Sequence, residues 1–458
     1  MFNADDLPVE GFIAHHDKLE WIGGRGIARL LDRYIQHRAP DYRQDLARMR
    51  ALLAADGVEV AEALDPSAEQ SGTEHAVLAE LADDPELFAE IAADLAAQDA
   101  ATTSGAESTG AEAFSIVGDV RRLVAWASLF AQSRVNLPAL YDKCTGGEVG
   151  LAVPMLVDLD AGVRDRSPAG QREQVELFEL LSTISMLGRL PGASDLVLHP
   201  FVAFDPLRQL AHRDAIGLSP RELVAEAVLS RGFLGVKVYP PMGWKPSGNA
   251  ERTDISRDDG QRLDEIVLDL AGWCQANDVP ITAHGNESNE AHRSFRGFGA
   301  PEQWEPVLAA CPGLRLNLGH FGGAHAERKD YTWTFRIAEM MDSYPHLYAD
   351  VSCHRVDTAE VLDQQMAVIE ELHRAGRNVL ERVQFGTDWY MQAANPAPDM
   401  FLDTYRSRWR ECFGDNVTED FLHRNALRFL GLSGTGANSD RLRGRYDDLG
   451  VTAPEWLA

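Results

Sequence analysis

The chain has 458 residues, 45% of them hydrophobic and 25% charged, and its 43 Lys and Arg against 71 Asp and Glu leave a formal charge of −28. Its length suits about three ordinary domains, or one large domain with insertions. So acidic a balance argues against nucleic acid or an anionic membrane as the main partner, since both require a basic footprint.

No apolar run approaches the roughly 18 residues of a membrane-spanning helix. The opening MFNADDLPVEGF lacks the basic start and apolar stretch of a secretory signal. Five scattered cysteines (Cys144, Cys274, Cys311, Cys353 and Cys412) contain no CxxC pair. That pattern argues against a disulfide scaffold or a thiolate metal cluster and fits a reducing cytoplasm.

Residues 1–144 read as an N-terminal segment with a helical insertion. Within 24–134, apolar positions at helical period include Val77, Leu78, Leu81, Phe88, Ile91 and Leu95. Asp84-Pro85 has the form of an N-cap followed by Pro at the first helical position, which divides this stretch into two helices. The run DAATTSGAESTGAEA (99–113) is small and polar and predicts a mobile surface loop.

From residue 145 to about 435 the pattern changes. Short apolar, β-branched runs recur at 151–160, 196–205, 233–240, 279–285, 314–320, 347–352 and 382–388, and helical stretches separate them. One such helix opens at Ser219-Pro220-Arg221-Glu222, a capping box, with Gly232 just past its end. Apolar strands alternating with helices imply a parallel sheet covered on its outer face. The 230 residues from Asp158 to Asp388 hold six strand-to-strand steps of about 38 residues each, a comfortable β/α unit. No glycine-rich phosphate turn follows an early strand, so an α/β fold of the (β/α)8 TIM-like barrel type is the better reading than an open doubly wound sheet. Seven strands are evident, and the first strand of the eight is the one lacking. Residues 436–458 form a C-terminal tail.

Nearly every strand ends in a residue that packing does not call for: Asp158 and Asp160, His199, Lys237 with Tyr239, His284, His320, Asp350 and Asp388. In a parallel barrel these ends open on one face. His284, His320 and Asp388 are separated by 36 and 68 residues, one and two barrel units. Imidazole and carboxylate at a rigid cavity mouth suit a divalent cation, zinc in particular, whose bound water loses a proton near neutral pH.

The pieces TAHGNESNEA, LNLGHFGGA, LYADVS and QFGTDWYM, following GVKVYPPMG and closed by NALRFLGL, resemble the amidohydrolase-related group of the metal-dependent hydrolase superfamily over about 145–432. That group also contains non-oxidative decarboxylases. The resemblance implies metal binding by His284 and Asp388, and either catalysis or a second metal for His320. Lys237 falls where some members carry a carboxylated lysine. Charge contact with an acidic substrate, or with Asp160, is the reading preferred here.

One departure stands out: the His-x-His that the resemblance places on strand one is absent. His15-His16 cannot replace it, because consecutive strand residues face opposite ways. Two explanations are carried forward. In one, the natural start lies upstream of Met1 and brings strand one with it. In the other, Pro8–Ala14 forms that strand and the metal site is lost or rearranged, so that the divalent ion is absent.

The expected function is metal-dependent hydrolysis of a small organic substrate. Here His320, Asp388 and Lys237 are catalytic, and His284, His320 and Asp388 hold the metal. Tyr239, Trp244, Asn286, Trp389 and His199 contact substrate. Glu287 and Glu290 share the polar loop after His284, and Tyr390 adjoins Trp389. Cys353-His354 is discounted as a nucleophile pair because adjacent residues rarely face each other. Decarboxylation on the same scaffold and a metal-free binding barrel are the alternatives. A homo-oligomer built through the helical region is left open.

Overall fold

The computed structural model describes residues 3–8, 26, 29–55, 57–102, 111–212, 217–288, 291–323, 330–354, 356, 359–395 and 397–457. Residues 9–14 of the alternative first strand, His15-His16, residues 103–110 of the polar run and Glu290 lie outside them. Among the described residues no helix is long and apolar enough to cross a membrane.

The chain divides into two compact units. The first takes 1–150, 163–197 and 289–291; the second takes 151–162, 198–288 and 292–458. The first unit is helical. Its helices include Tyr42–Leu53, Pro66–Ala82, Pro85–Thr102 and Ala111–Leu129. The break between the second and third of these falls at the expected point, with Leu87 N donating to Asp84 Oδ1 at 3.1 Å. Helix Gln171–Met186, which the spacing assigns to the barrel, belongs to this unit and packs on Tyr42–Leu53. The reason lies in its polar ties as well as its apolar face. Tyr42 OH donates to Glu176 Oε2 at 2.6 Å, and Gln174 Nε2 donates to Asp6 O at 3.2 Å.

Arg134 anchors the first unit. It is fully buried. It donates from Nε and Nη2 to Asp6 at 2.9 and 2.6 Å, and from Nη1 to Asp45 at 2.7 Å. Asp5 completes the cluster at 3.2 Å. A buried guanidinium is tolerated only when its charge and donors are matched in this way.

The second unit is built on parallel strands: β1 (Leu151–Ala152), β2 (Val197–Leu198), β3 (Phe201–Ala203), β4 (Gly235–Val238), β5 (Ile281–His284), β6 (Leu316–Gly319), β7 (Leu347–Asp350) and β8 (Val383–Gln384). Strands β3 to β8 form one sheet in chain order. The β1 segment continues beside β3, with Phe201 N donating to Pro154 O at 2.9 Å and Leu156 N to Phe201 O at 3.1 Å. All seven expected runs therefore carry strands, with β2 and β3 sharing one run. Closure into a ring of eight is not seen among the described residues. The Ser219 capping box forms as read, Glu222 N donating to Ser219 Oγ at 3.2 Å.

Register and alternation separate the two faces of the sheet. Val236, Ile281, Leu316 and Leu347 lie side by side, as do Val238, Ala283, Leu318 and Ala349. The opposite face carries Lys237, Thr282, Asn317 and Tyr348 in one row, with His284 and Asp350 beyond. That face curls inward: Phe201 on β3 and Tyr348 on β7 both reach the ring of Phe429, at 6.2 and 5.6 Å between centroids. One face is thus an apolar floor, and the other is a concave polar surface that opens at the C-terminal strand ends.

Candidate functional site

The turns that leave β6, β7 and β8 are strained. Among the described residues seven non-glycine positions have positive φ, and four of these are His320 (66°), Phe321 (44°), Cys353 (60°) and Asp388 (48°). Each costs on the order of 1–2 kcal/mol and persists only where neighbours over-determine it. Around His320 they do. Its amide donates to Asp350 Oδ1 at 3.1 Å, and its carbonyl accepts from His354 Nε2 and from Gly323 N, both at 2.8 Å. Asp388 is held through its carbonyl, which accepts from Met391 N at 2.8 Å.

His284 closes β5 and His320 follows β6, and the two imidazoles meet. His320 Nε2 lies 3.2 Å from His284 Nδ1, with ring centroids 4.7 Å apart in an edge-on arrangement. His284 in turn stacks on Tyr239, centroids 4.2 Å apart. The other ring nitrogen of His320, Nδ1, lies 3.0 Å from both the carbonyl oxygen and the hydroxyl of Ser352. Burial pushes His320 below the ordinary imidazole value, with Asp388 and Asp350 pulling the other way.

Asp350 sits behind this pair. It accepts from Asn317 Nδ2 at 2.6 Å, from Ser352 N at 3.0 Å and from the Ser352 hydroxyl. Burial alone would raise its carboxyl. The His320 imidazole and the bonds from Ser352, Asn317 and the His320 amide outweigh burial and hold it below the usual carboxylate range. Lys237, on the same concave face, is pushed down from the ordinary amine value by burial, against the opposing charges of Asp350 and Asp388. Its ammonium lies 5.8 Å from the centroid of the Tyr239 ring.

The remaining expected residues fall into two groups. Asn286 stays at the rim, buried, with Oδ1 lacking a hydrogen-bond partner among the described residues. Its side chain presses on Gly323, where an added Cβ would stand 1.9 Å from Oδ1. Asp388 is exposed, while Trp389 and Tyr390 behind it are buried and in ring contact. Trp244 is 1% exposed, a core residue of the loop after β4 rather than an open aromatic wall.

His199 is a correction. It precedes β3, at the end of the sheet opposite His284, where Nε2 lies 3.1 Å from Tyr446 OH and the ring packs on Tyr446 and Trp456. Burial pushes it down to about 3. The run 196–205 is broken at His199-Pro200, so its midpoint histidine is not a strand end.

Several residues of the site escaped the sequence reading. Nothing in the sequence pattern singles out Ser352, and Asp350 reads there only as one more strand-end carboxylate. Asn317 and Gln384 interrupt apolar strands, which was the available signal, and Gln384 Nε2 donates to Asn317 Oδ1 at 3.0 Å. Asp158 and Asp160 do not reach toward Lys237. Arg208 takes both, Nη2 donating to Asp158 Oδ1 at 2.6 Å and to Asp160 Oδ2 at 2.9 Å. Asp205 lies buried beside them, its carboxyl raised well above the ordinary value by burial and then by Asp158.

The donor chemistry fits a divalent ion in part. Two nitrogens bound at about 2.0–2.1 Å around a tetrahedral ion stand roughly 3.3 Å apart, and the His284–His320 separation is 3.2 Å. Among the described residues, however, no three His, Cys, Asp or Glu side chains are grouped closely enough to hold one ion. Asp388 is therefore not assembled with the imidazole pair as a third ligand.

A parallel α/β unit with a polar cluster at its C-terminal strand ends defines a barrel-type scaffold with an enzyme-like site. The chain belongs to the amidohydrolase family, whose model matches residues 145–432. That membership points to an enzyme and to a divalent metal. Similar solved structures include an uncharacterised TIM-barrel protein of Bordetella bronchiseptica, at 16% identity over 67% of this chain and 84% of that one, TM-score 0.40. A dihydroorotase of Campylobacter jejuni is similar at 16% identity over 65% and 80%, TM-score 0.38. A candidate metal-dependent hydrolase of Lactobacillus casei is similar at 13% identity over 67% and 80%, TM-score 0.41. No curated protein matches the chain.

Proposed function

We propose that the protein hydrolyses a small organic substrate with an amide, ester or lactone carbonyl. The observation that carries this reading is the buried His284–His320 contact at 3.2 Å, backed by Asp350 and Ser352 and flanked by Lys237. Zinc is the ion that imidazole and carboxylate donors suit, and when bound it supplies a water of lowered pKa. The chain's own groups supply the rest. In this reading His284 holds the ion and His320 Nε2 is left off it, to accept a proton and return it to the leaving atom. Lys237 stabilises negative charge that develops on the carbonyl oxygen in a region poor in water. Asn286 Oδ1, a buried acceptor, holds a donor on the substrate.

The test pairs two variants, in protein grown with added zinc, against a panel of small esters, lactones and amides, with carbon dioxide release followed in parallel. His320→Ala should lose turnover about 10²–10⁴-fold, the usual worth of an acid–base group, and keep most of its metal. His284→Ala should lose metal. Equal metal and equal turnover in both variants would refute the assignment. Carbon dioxide release without hydrolysis would replace it with decarboxylation.

A further inference from the structure

The hydrogen bonds around His320 set one requirement, a proton on Nδ1. From it we propose that Asp350 and Ser352 together are positioning residues that hold His320 as the Nδ1–H tautomer, so that Nε2, facing His284, is the ring's one basic atom. The consequence for turnover rests on the reading of His320 given above; the tautomer itself does not.

The argument starts at the carboxylate. Asp350 receives four donors: the amides of His320 and Ser352, the Ser352 hydroxyl and Asn317 Nδ2. Three of them, the two amides and the hydroxyl, converge on Oδ1 while Asn317 Nδ2 takes Oδ2, so the oxygen that faces Ser352 Oγ has no place for a proton of its own. The single hydroxyl proton of Ser352 is therefore spent on Asp350, and Ser352 Oγ offers only lone pairs to other groups. His320 Nδ1 faces that oxygen and the Ser352 carbonyl oxygen, each at 3.0 Å. Neither can donate to it, so Nδ1 is the donor. In a neutral imidazole the other nitrogen is then bare. The 3.2 Å contact with His284 is closed by a proton on His284 Nδ1 pointing at the Nε2 lone pair, which takes another proton or an ion only once His284 Nδ1 has given that proton up.

The backbone serves the same end. His320 and Cys353 both adopt positive φ, at 66° and 60°. The turn after β7 returns the Ser352 carbonyl and hydroxyl toward one ring atom, and Cys353 N donates to Thr387 O at 3.3 Å to hold it. His354 Nε2 fixes the His320 carbonyl at 2.8 Å. The lone pair of Nε2 is thereby aimed, whether a proton or an ion takes it.

The experiment is a long-range 1H–15N spectrum of the full chain labelled on histidine, with His320 assigned from the signals that His320→Gln removes. The wild type should show His320 protonated on Nδ1 and bare on Nε2. Ser352→Ala, which keeps the carbonyl acceptor and loses the hydroxyl, should retain the Nδ1–H form while shifting the His320 15N signals and lowering kcat about tenfold at unchanged KM, and Ser352→Thr, which restores a hydroxyl, should recover both. A wild-type His320 protonated on Nε2 would overturn the proposal, even if no variant folds. So would Ser352→Ala with an unaltered spectrum and kcat. Nδ1–H in a protein that hydrolyses nothing in the panel supports the tautomer assignment and removes the hydrolase reading.

Discussion

Replacing Arg134 by Met is the sharpest test of the helical unit. The guanidinium is fully buried, and the side chains of Asp6 and Asp45 are 1% and 0% exposed. Met fills a similar volume but leaves two buried carboxylates, and Asp5 nearby, without a counter-charge. Breaking one side of a buried ion pair costs roughly 3–5 kcal/mol, so a loss of that size is expected at pH 7. The pH dependence carries a sign. Burial holds the Asp45 carboxyl above its ordinary value even though Arg134 pulls it down, and removal of the cation raises it further. An acid with a raised folded pKa leaves full stability below the unfolded value of about 3.9 and subtracts from it as pH climbs through the folded value. The deficit of the variant should therefore shrink from pH 7 toward pH 4. Urea unfolding followed by far-ultraviolet circular dichroism, with amide exchange in 42–53 and 128–141 to localise the change, measures it. A loss under about 1 kcal/mol at pH 7, or one that grows on acidification, would refute the account of the cluster.

Two further outcomes are expected from the second unit. Asp205→Asn keeps an oxygen for Leu207 N, which Oδ1 accepts at 2.9 Å, but removes a buried acid raised first by burial and then by Asp158. The wild type should lose up to about 1.4 kcal/mol of stability per pH unit above roughly pH 4 from this group. The variant should lack that slope in urea titrations between pH 5 and 8, and an identical slope in both proteins would contradict it. Gly323→Ala asks an alanine to adopt φ 59° and drives its Cβ into Asn286. KM should rise several-fold while helical circular dichroism is retained, and unchanged kinetics would remove Asn286 from the substrate contacts.

Much of the architecture was legible because strands and helices write themselves locally. The short, largely apolar runs at 235–238, 281–284, 316–319 and 347–350 became strands. The Asp84-Pro85 and Ser219 caps act where they were read, since a cap bonds to an amide only two or three residues away. His284 and His320 stand out in the sequence because an imidazole at the end of an apolar run has no packing reason to be there.

Partners set by register and curl were not legible. The contact of His320 with Ser352 and Asp350 crosses from β6 to β7. The capture of Asp158 and Asp160 by Arg208 joins the turn after β1 to the helix after β3, 48–50 residues away. His199 had the composition of a strand-end ligand, but a two-residue break placed it at the opposite end of the sheet. By itself, the sequence determined the alternation of elements, the apolar floor of the sheet and the residue types available at its rim, all consequences of short-range sterics and burial. Only tertiary structure decided which of those residues touch, because a hydrogen bond across strands depends on angles and distances that a linear pattern does not contain.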